Sequence, residues 1–131
     1  MSETERSWQP ITGGKSLPAP AGAYSAVARA GNLVFVSGQI PKDPVTGELV
    51  KGDLRAQTKR VIENVRLALE PAGLTLDHVV SVTAYLANVD DWNTFNQVYR
   101  EMFRAPYPTR TTVGAQLRGI LVEISVIAAV P

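Results

Sequence analysis

The 131-residue sequence contains no cysteine and one histidine, His78. The lack of cysteine excludes disulfides, thiolate metal sites and a cysteine nucleophile within these residues. A serine–histidine–aspartate triad would have to rely on His78, which precedes a predicted strand and is interpreted as a solvated residue rather than a ligand or base. The composition therefore argues against metal sites and against these two kinds of nucleophilic catalysis.

A large excess of one charge and long apolar runs are also lacking. Thirteen basic residues accompany twelve acidic ones, the formal net charge is +1, and Lys59 and Arg60 are the only adjacent basic pair. This balance disfavours nucleic acid as a partner. Residues 1–10 lack the apolar core of a secretory signal, and no segment is apolar over a membrane-spanning length. We therefore expect a soluble cytoplasmic protein without membrane contacts.

The chain length predicts one domain over residues 1–131, in which residues 1–20 are partly irregular because they are rich in Ser, Gly and Pro. Apolar periodicity predicts an α+β arrangement, a mixed sheet with both helices on one face. The predicted elements are a short strand near 8–11, strands at 26–30 and 33–36 around the Gly31–Asn32 turn, a helix from Asp53 to about Glu70, a strand at 79–86, a helix from Asp90 or Asp91, and two final strands, around Arg110 and at 121–130.

The second predicted helix carries Trp92, Phe95, Tyr99, Met102 and Phe103 on one stripe. We interpret this stripe as core packing against the sheet rather than as a ligand-stacking surface. With both helices on one face, the other face stays open and mixes polar with large apolar side chains. Such a face is more stable against a second subunit than in water, so we expect a homo-oligomer with a cleft at its interface.

Glu123 interrupts an otherwise nearly apolar final segment, and Arg110 is the nearest cation that could share its sheet face. If an antiparallel hairpin joins the last two strands with Thr112 opposite Glu123, then Arg110, Thr112, Glu123 and Ser125 lie on the open face. A half-buried carboxylate needs a cation or good donors. Spacing alone favours a self-satisfied Arg110–Glu123 ion pair and leaves a functional site as the alternative.

Motifs spread over residues 22–130 resemble those of one family, the reactive intermediate deaminases, also called the RidA/YjgF family. They are Gly22, Tyr24 and Ser25; Gly31 and Asn32; Ser37, Gly38, Gln39, Ile40 and Pro41; Asn64 and Val65; Ala72, Gly73 and Leu74; Asn96 and Tyr99; Pro108, Thr109 and Arg110; and Val122, Glu123 and Ile124. The resemblance implies a chorismate-mutase-like α+β fold, assembled as a homotrimer around a central barrel with clefts between subunits. It also implies hydrolysis of 2-aminoacrylate or 2-iminobutanoate to a 2-keto acid and ammonia, without cofactor or metal.

The resemblance assigns roles to three residues in the cleft. Arg110 holds the substrate carboxylate with two parallel hydrogen bonds, which the planar guanidinium permits. The backbone N–H of Gly38 adds a donor, because a glycine lets the main chain approach closely. Glu123 orients or deprotonates the water that attacks the imine carbon and then helps to return a proton to the departing nitrogen.

Further positions follow from the same resemblance. It implies that Tyr24 closes the cleft and that Asn96 and Ser37 support the site; interface packing for Tyr24 and a helix–loop hydrogen bond for Asn96 stay open as alternatives. Thr111 and Thr112 follow Arg110 where well-known relatives carry a small residue and often a cysteine. The main-chain carbonyl of Thr112 can still hold the attacking water. Because these two side chains differ from those of the relatives, the resemblance does not fix the substrate range.

Two other functions compete with deamination. The first is a non-catalytic, keto-acid-binding regulatory or chaperone-like trimer that uses the same cleft. The second is the endoribonuclease or translation-inhibitor activity for which some relatives are named, and the near-neutral charge fits it poorly.

Overall fold

The computed structural model describes residues 5–13 and 20–131. The predicted irregular segment over 1–20 therefore lies partly outside the described residues, at 1–4 and 14–19. The strands are β1 (Gln9–Pro10), β2 (Val27–Ala30), β3 (Leu33–Gln39), β4 (Val79–Leu86), β5 (Thr109–Gly114) and β6 (Val122–Ala129). The helices are α1 (Leu54–Leu69) and α2 (Trp92–Met102), and single 3₁₀ turns cover Glu70–Ala72, Leu76–His78 and Val89–Asp91.

All six strands form one mixed sheet in the order β1-β2-β3-β6-β4-β5. Four neighbouring pairs are antiparallel, and β4 and β5 are parallel. A parallel pair needs a long crossover, which α2 provides between β4 and β5. The predicted mixed α+β sheet is thus confirmed.

Both helices cover the same face of the sheet, as predicted. Helix α1 begins after Asp53, whose carboxylate accepts a hydrogen bond from the N–H of Ala56 at 2.9 Å and so caps the helix. Its apolar stripe joins alternate residues of β3, β4 and β6 in a single core. The fully buried members of this core include Val34, Val61, Ile62, Val65, Leu69, Leu86, Phe95, Val122 and Ile124. No described residue range packs over the opposite face, and Leu33 and Phe35 on it are each 40% exposed.

The predicted hairpin of the last two strands is wrong. Strand β6 lies between β3 and β4, and β5 pairs only with β4, at the edge of the sheet. The physical reason is burial: one face of β6 consists of Val122, Ile124, Val126 and Ala128, all at most 3% exposed. Such a strand is most stable at the centre of the sheet, where the core covers its apolar face and both of its edges are paired.

The start of β4 departs from the regular alternation of side chains between the two faces of a sheet. The pairing of β4 with β6 shifts between Val79 and Ser81, which marks an irregularity of the β-bulge type. As a result Val79 enters the core, while Val80 is 46% exposed. From Val82 to Leu86 the alternation is regular, with Val82, Ala84 and Leu86 buried in the core.

Within residues 5–13 and 20–131, no helix has the length and hydrophobicity needed to cross a membrane.

Candidate active site

The strand register divides the predicted site residues between the two faces of the sheet. Arg110 is the β-partner of Val82, a core residue, so its side chain projects towards the helices. Glu123 is the partner of Tyr85 on the uncovered face. The prediction that Arg110 and Glu123 share one face is therefore wrong. It failed because it assumed the hairpin of β5 and β6.

Arg110 and Glu123 are also far apart along the sheet. One strand, β4, separates β5 from β6, and the partners Val82 and Tyr85 lie three residues apart. Standard strand spacings place the two Cα atoms about 10 Å apart across the sheet and about 10 Å apart along it. Neither residue takes part in an ion pair among the described residues. The self-satisfied ion pair that spacing alone favoured is therefore wrong, and the two residues have the separate positions that the roles implied by the resemblance require.

Arg110 is held on the helix side by neutral groups. Its Nη1 donates a hydrogen bond to Oδ1 of Asn96 at 3.0 Å, and its guanidinium carbon lies 4.6 Å from the ring centroid of Tyr99. The rings of Trp92 and Phe95 also lie close to it. The guanidinium is partly buried, and no carboxylate among the described residues pairs with it. This arrangement leaves a cation with free N–H donors, which is what an anionic ligand requires.

Tyr99 is a neutral member of this half of the site. Burial raises the pKa of its phenol to about 12, although the positive charge of Arg110 acts in the opposite direction. Its hydroxyl is buried and has no hydrogen-bond partner among the described residues. Its ring stacks on Phe103 with centroids 4.4 Å apart. The phenol therefore stays protonated over the physiological range and presents its ring face to the arginine.

Thr112 lies on the same side as Arg110, because its β-partner is the core residue Ala84. Its hydroxyl is buried and has no hydrogen-bond partner among the described residues. A buried hydroxyl without a partner is costly. It is therefore a ready donor or acceptor for a bound ligand or water.

Glu123 forms a second, separate half of the site. Burial raises the pKa of its carboxyl above the ordinary 4.5, and no hydrogen bond between described residues reaches it. The carboxylate lies against Gly38: a Cβ at position 38 would overlap Oε2 of Glu123 and lie 3.0 Å from its carboxyl carbon. Glycine is thus required by close approach and not by a positive φ. A carboxylate with raised proton affinity is suited to act as a general base.

Ser37 supports the strand that carries Gly38. Its hydroxyl donates to the carbonyl of Ser25 at 2.6 Å, and its own carbonyl accepts a hydrogen bond from the side-chain amide of Gln39 at 3.1 Å. These bonds fix the irregular end of β3, where the pairing with β6 shifts between Val36 and Gln39. Ser37 therefore ties the chain immediately before Gly38 to Ser25 and to the side chain of Gln39.

Tyr24 lies in neither half of the site. It is 53% exposed and lines an open surface pocket with Trp8 and Pro10, and the residues that line this pocket include neither Arg110 nor Glu123. Its predicted closing role stays a prediction. No three His, Cys, Asp or Glu side chains in the described part of the chain lie together as metal ligands would.

Sequence reasoning missed the contribution of the aromatic stripe to the site. Phe95, Tyr99 and Phe103 are buried, as the core interpretation predicts, but Trp92 is 41% exposed. The rings at 92, 95 and 99 surround Arg110, and Asn96 lies among them. Their three- and four-residue spacing was the available signal. It could not show that an arginine from a distant strand would enter the stripe.

Comparison with known proteins gives a consistent family match. The family model described as Endoribonuclease L-PSP matches residues 14–130. A RutC family protein of Pyrococcus abyssi is 48% identical over 113 residues, covering 85% of this chain and 89% of the relative. The human 2-iminobutanoate/2-iminopropanoate deaminase is 34% identical, covering 85% and 82%. The crystal structure of YyfA from Yersinia pestis, a protein of unknown function of the conserved Rid protein family, superposes with a TM-score of 0.88 at 36% identity. The match covers 94% of this chain and 99% of the other.

Proposed function

Because this chain belongs to the Endoribonuclease L-PSP family, also called the RidA/YjgF family, we propose that it hydrolyses reactive 2-imino acids to 2-keto acids and ammonia. The substrates are 2-aminoacrylate and 2-iminobutanoate or their close analogues, the enamines and imines that pyridoxal-phosphate dehydratases release. The relative named 2-iminobutanoate/2-iminopropanoate deaminase supports this reaction class at the family level.

The observation that carries the proposal is the unneutralised guanidinium of Arg110. An amide oxygen and aromatic rings hold it, and no carboxylate of the described residues takes up its charge. A partly buried cation of this kind gains most from an anion that enters as a ligand. Every 2-imino acid and 2-keto acid carries a carboxylate that can accept two parallel N–H hydrogen bonds from one guanidinium.

The raised pKa of Glu123 suits the hydrolytic step. In the proposed reaction its carboxylate accepts a proton from water while the water oxygen forms a bond to the imine carbon, and the C=N bond becomes a C–N bond. That proton passes to the nitrogen and gives a carbinolamine. The hydroxyl proton of the carbinolamine then moves through the carboxylate to the same nitrogen, the C–N bond breaks, and ammonia leaves as the carbonyl forms. A base whose pKa lies nearer to the working pH makes both proton transfers easier.

Arg110 and Glu123 lie on opposite faces of one chain, so we propose that the working site forms between two copies. One copy contributes Arg110 and Thr112, and its neighbour contributes Glu123 and Gly38. The uncovered sheet face, where Leu33 and Phe35 are 40% exposed, is the surface that the neighbour would cover. This is the homotrimer with clefts between subunits that the family resemblance implies.

The first test couples the purified protein to a serine or threonine dehydratase and follows release of the keto acid. We expect faster release than in buffer, and a loss of kcat/KM of about 100-fold or more for both Arg110→Ala and Glu123→Gln. Matched controls are Arg118→Ala and Glu48→Gln, because both residues are exposed. Binding of a keto acid by the wild type without any acceleration would instead support a regulatory role.

The second test addresses the shared site. Inactive Arg110→Ala and Glu123→Gln proteins are mixed, dissociated and reassembled. Random pairing leaves about one site in four with both residues intact, so we expect recovery of about a quarter of the wild-type activity. A mixture as inactive as its components, with subunit exchange verified by mass spectrometry, would show that each site lies within one chain.

A further inference from the structure

One face of α2 is directed at a single cation. The guanidinium carbon of Arg110 lies 4.6 Å from the ring centroid of Tyr99, 5.3 Å from that of Trp92 and 5.5 Å from that of Phe95. Nη1 donates to Asn96 from the same helix. All of these distances are within the range of a cation–π contact. We call the three rings, Trp92, Phe95 and Tyr99, the aromatic cradle.

The aromatic cradle holds the guanidinium without neutralising it. A carboxylate in place of these rings would take up the charge and occupy the N–H donors. The three rings lie within cation–π distance of the guanidinium carbon, and an aromatic ring carries no carboxylate oxygen that would occupy the in-plane N–H donors. Apart from the Nη1–Asn96 hydrogen bond, no described residue uses a donor of this guanidinium.

A free arginine side chain has many rotamers, and a ligand that binds it must order them. An arginine already held by rings and an amide has lost that freedom before the ligand arrives. Carboxylate binding then requires less ordering and is tighter. This benefit needs no contact between the rings and the ligand.

We propose that the aromatic cradle is a positioning device that fixes Arg110 before a carboxylate ligand binds. The inference rests on the proposed function in one respect, namely that Arg110 is the carboxylate receptor. Trp92, Phe95 and Tyr99 are positioning residues and act through the guanidinium. The sequence favoured a core role for all three, and the structure adds this second role to the same rings.

Trp92 is the best residue for a test, because it is 41% exposed and its loss leaves no cavity in the core. Trp92→Leu removes the π face and keeps an apolar side chain, whereas Trp92→Phe retains a ring. Thermal unfolding of each variant verifies that the fold is intact.

Two measurements on the full chain separate this inference from the proposed function. The first is the NMR order parameter of the Arg110 Nε–H group in ligand-free protein, which does not depend on any activity. The second is the dissociation constant of 2-oxobutanoate, a stable 2-keto acid, together with kcat and KM in the coupled assay. The first measurement tests whether the rings fix the arginine, and the second tests whether this matters for a carboxylate.

For Trp92→Leu we expect a lower order parameter, a dissociation constant and KM raised about threefold to tenfold, and nearly unchanged kcat. Trp92→Phe should recover most of the affinity. An unchanged order parameter in Trp92→Leu, or a Trp92→Phe protein as weak as Trp92→Leu, would overturn the inference. If the wild type does not bind 2-oxobutanoate, the receptor role falls, and the order parameter still decides whether the cradle fixes Arg110.

Discussion

Replacing Gly38 with alanine tests whether the Glu123 carboxylate works where the structure places it. The new Cβ would overlap Oε2 of Glu123 and lie 3.0 Å from the carboxyl carbon. Relief of this contact requires the carboxylate to move by about 1 Å, a displacement that can lower a catalytic rate by about 100-fold. The backbone at Gly38 does not have a positive φ, so alanine causes no backbone strain there. We expect a loss of kcat/KM of about 100-fold in the coupled assay.

The same substitution should change stability little, because the atoms that must move are the end of a flexible side chain. We expect the free energy of unfolding in urea to fall by less than about 1 kcal/mol. Gly114→Ala is the matched control, since its Cβ would meet Val89 at 3.3 Å, outside both halves of the site. The reasoning is refuted if Gly38→Ala retains wild-type kcat/KM, or if it lowers activity equally in a Glu123→Ala background, where nothing remains to be displaced.

Three further predictions concern stability. The pKa of the Glu123 carboxyl is higher in the folded protein than its ordinary 4.5, because burial disfavours the charged form. The protonated carboxyl therefore gives its full contribution to stability below the ordinary pKa, and this contribution is lost as the pH rises through the folded pKa. Urea titrations should therefore find Glu123→Gln more stable than the wild type at pH 7 and equal to it at low pH. Thr58 is fully buried and its hydroxyl has no partner among the described residues, so Thr58→Val should raise the unfolding free energy by about 1 kcal/mol; a decrease would indicate a hydrogen bond that the hydroxyl makes in solution. The Asn64 amide donates to the carbonyls of Ile40 and Lys42 at 3.1 and 2.8 Å, so Asn64→Ala should lower the unfolding free energy by about 3 kcal/mol, and a loss below 1 kcal/mol would mean that water replaces both bonds.

The charged residues of the site were predicted from sequence, but their relative placement was not. Glu123 stands out because it interrupts an apolar strand, and that signal is local. The face on which Arg110 lies depends on its partner strand, and this partner is β4 rather than β6. Exchanging the partner strand changes the face because side chains alternate along a strand.

The helices, most of the strands and the family could be predicted from the sequence alone. Helical and strand periodicities are properties of short segments, and Asp53 marks the predicted start of the first helix locally. Three placements could be seen only in the tertiary structure. Strand β6 lies at the centre of the sheet, Arg110 packs against the aromatic face of α2, and Glu123 contacts Gly38. These contacts join residues far apart in the chain. They depend on which strand gains most stability when it is buried at the centre of the sheet. That choice depends on all the strands together, so it cannot be predicted from any single segment.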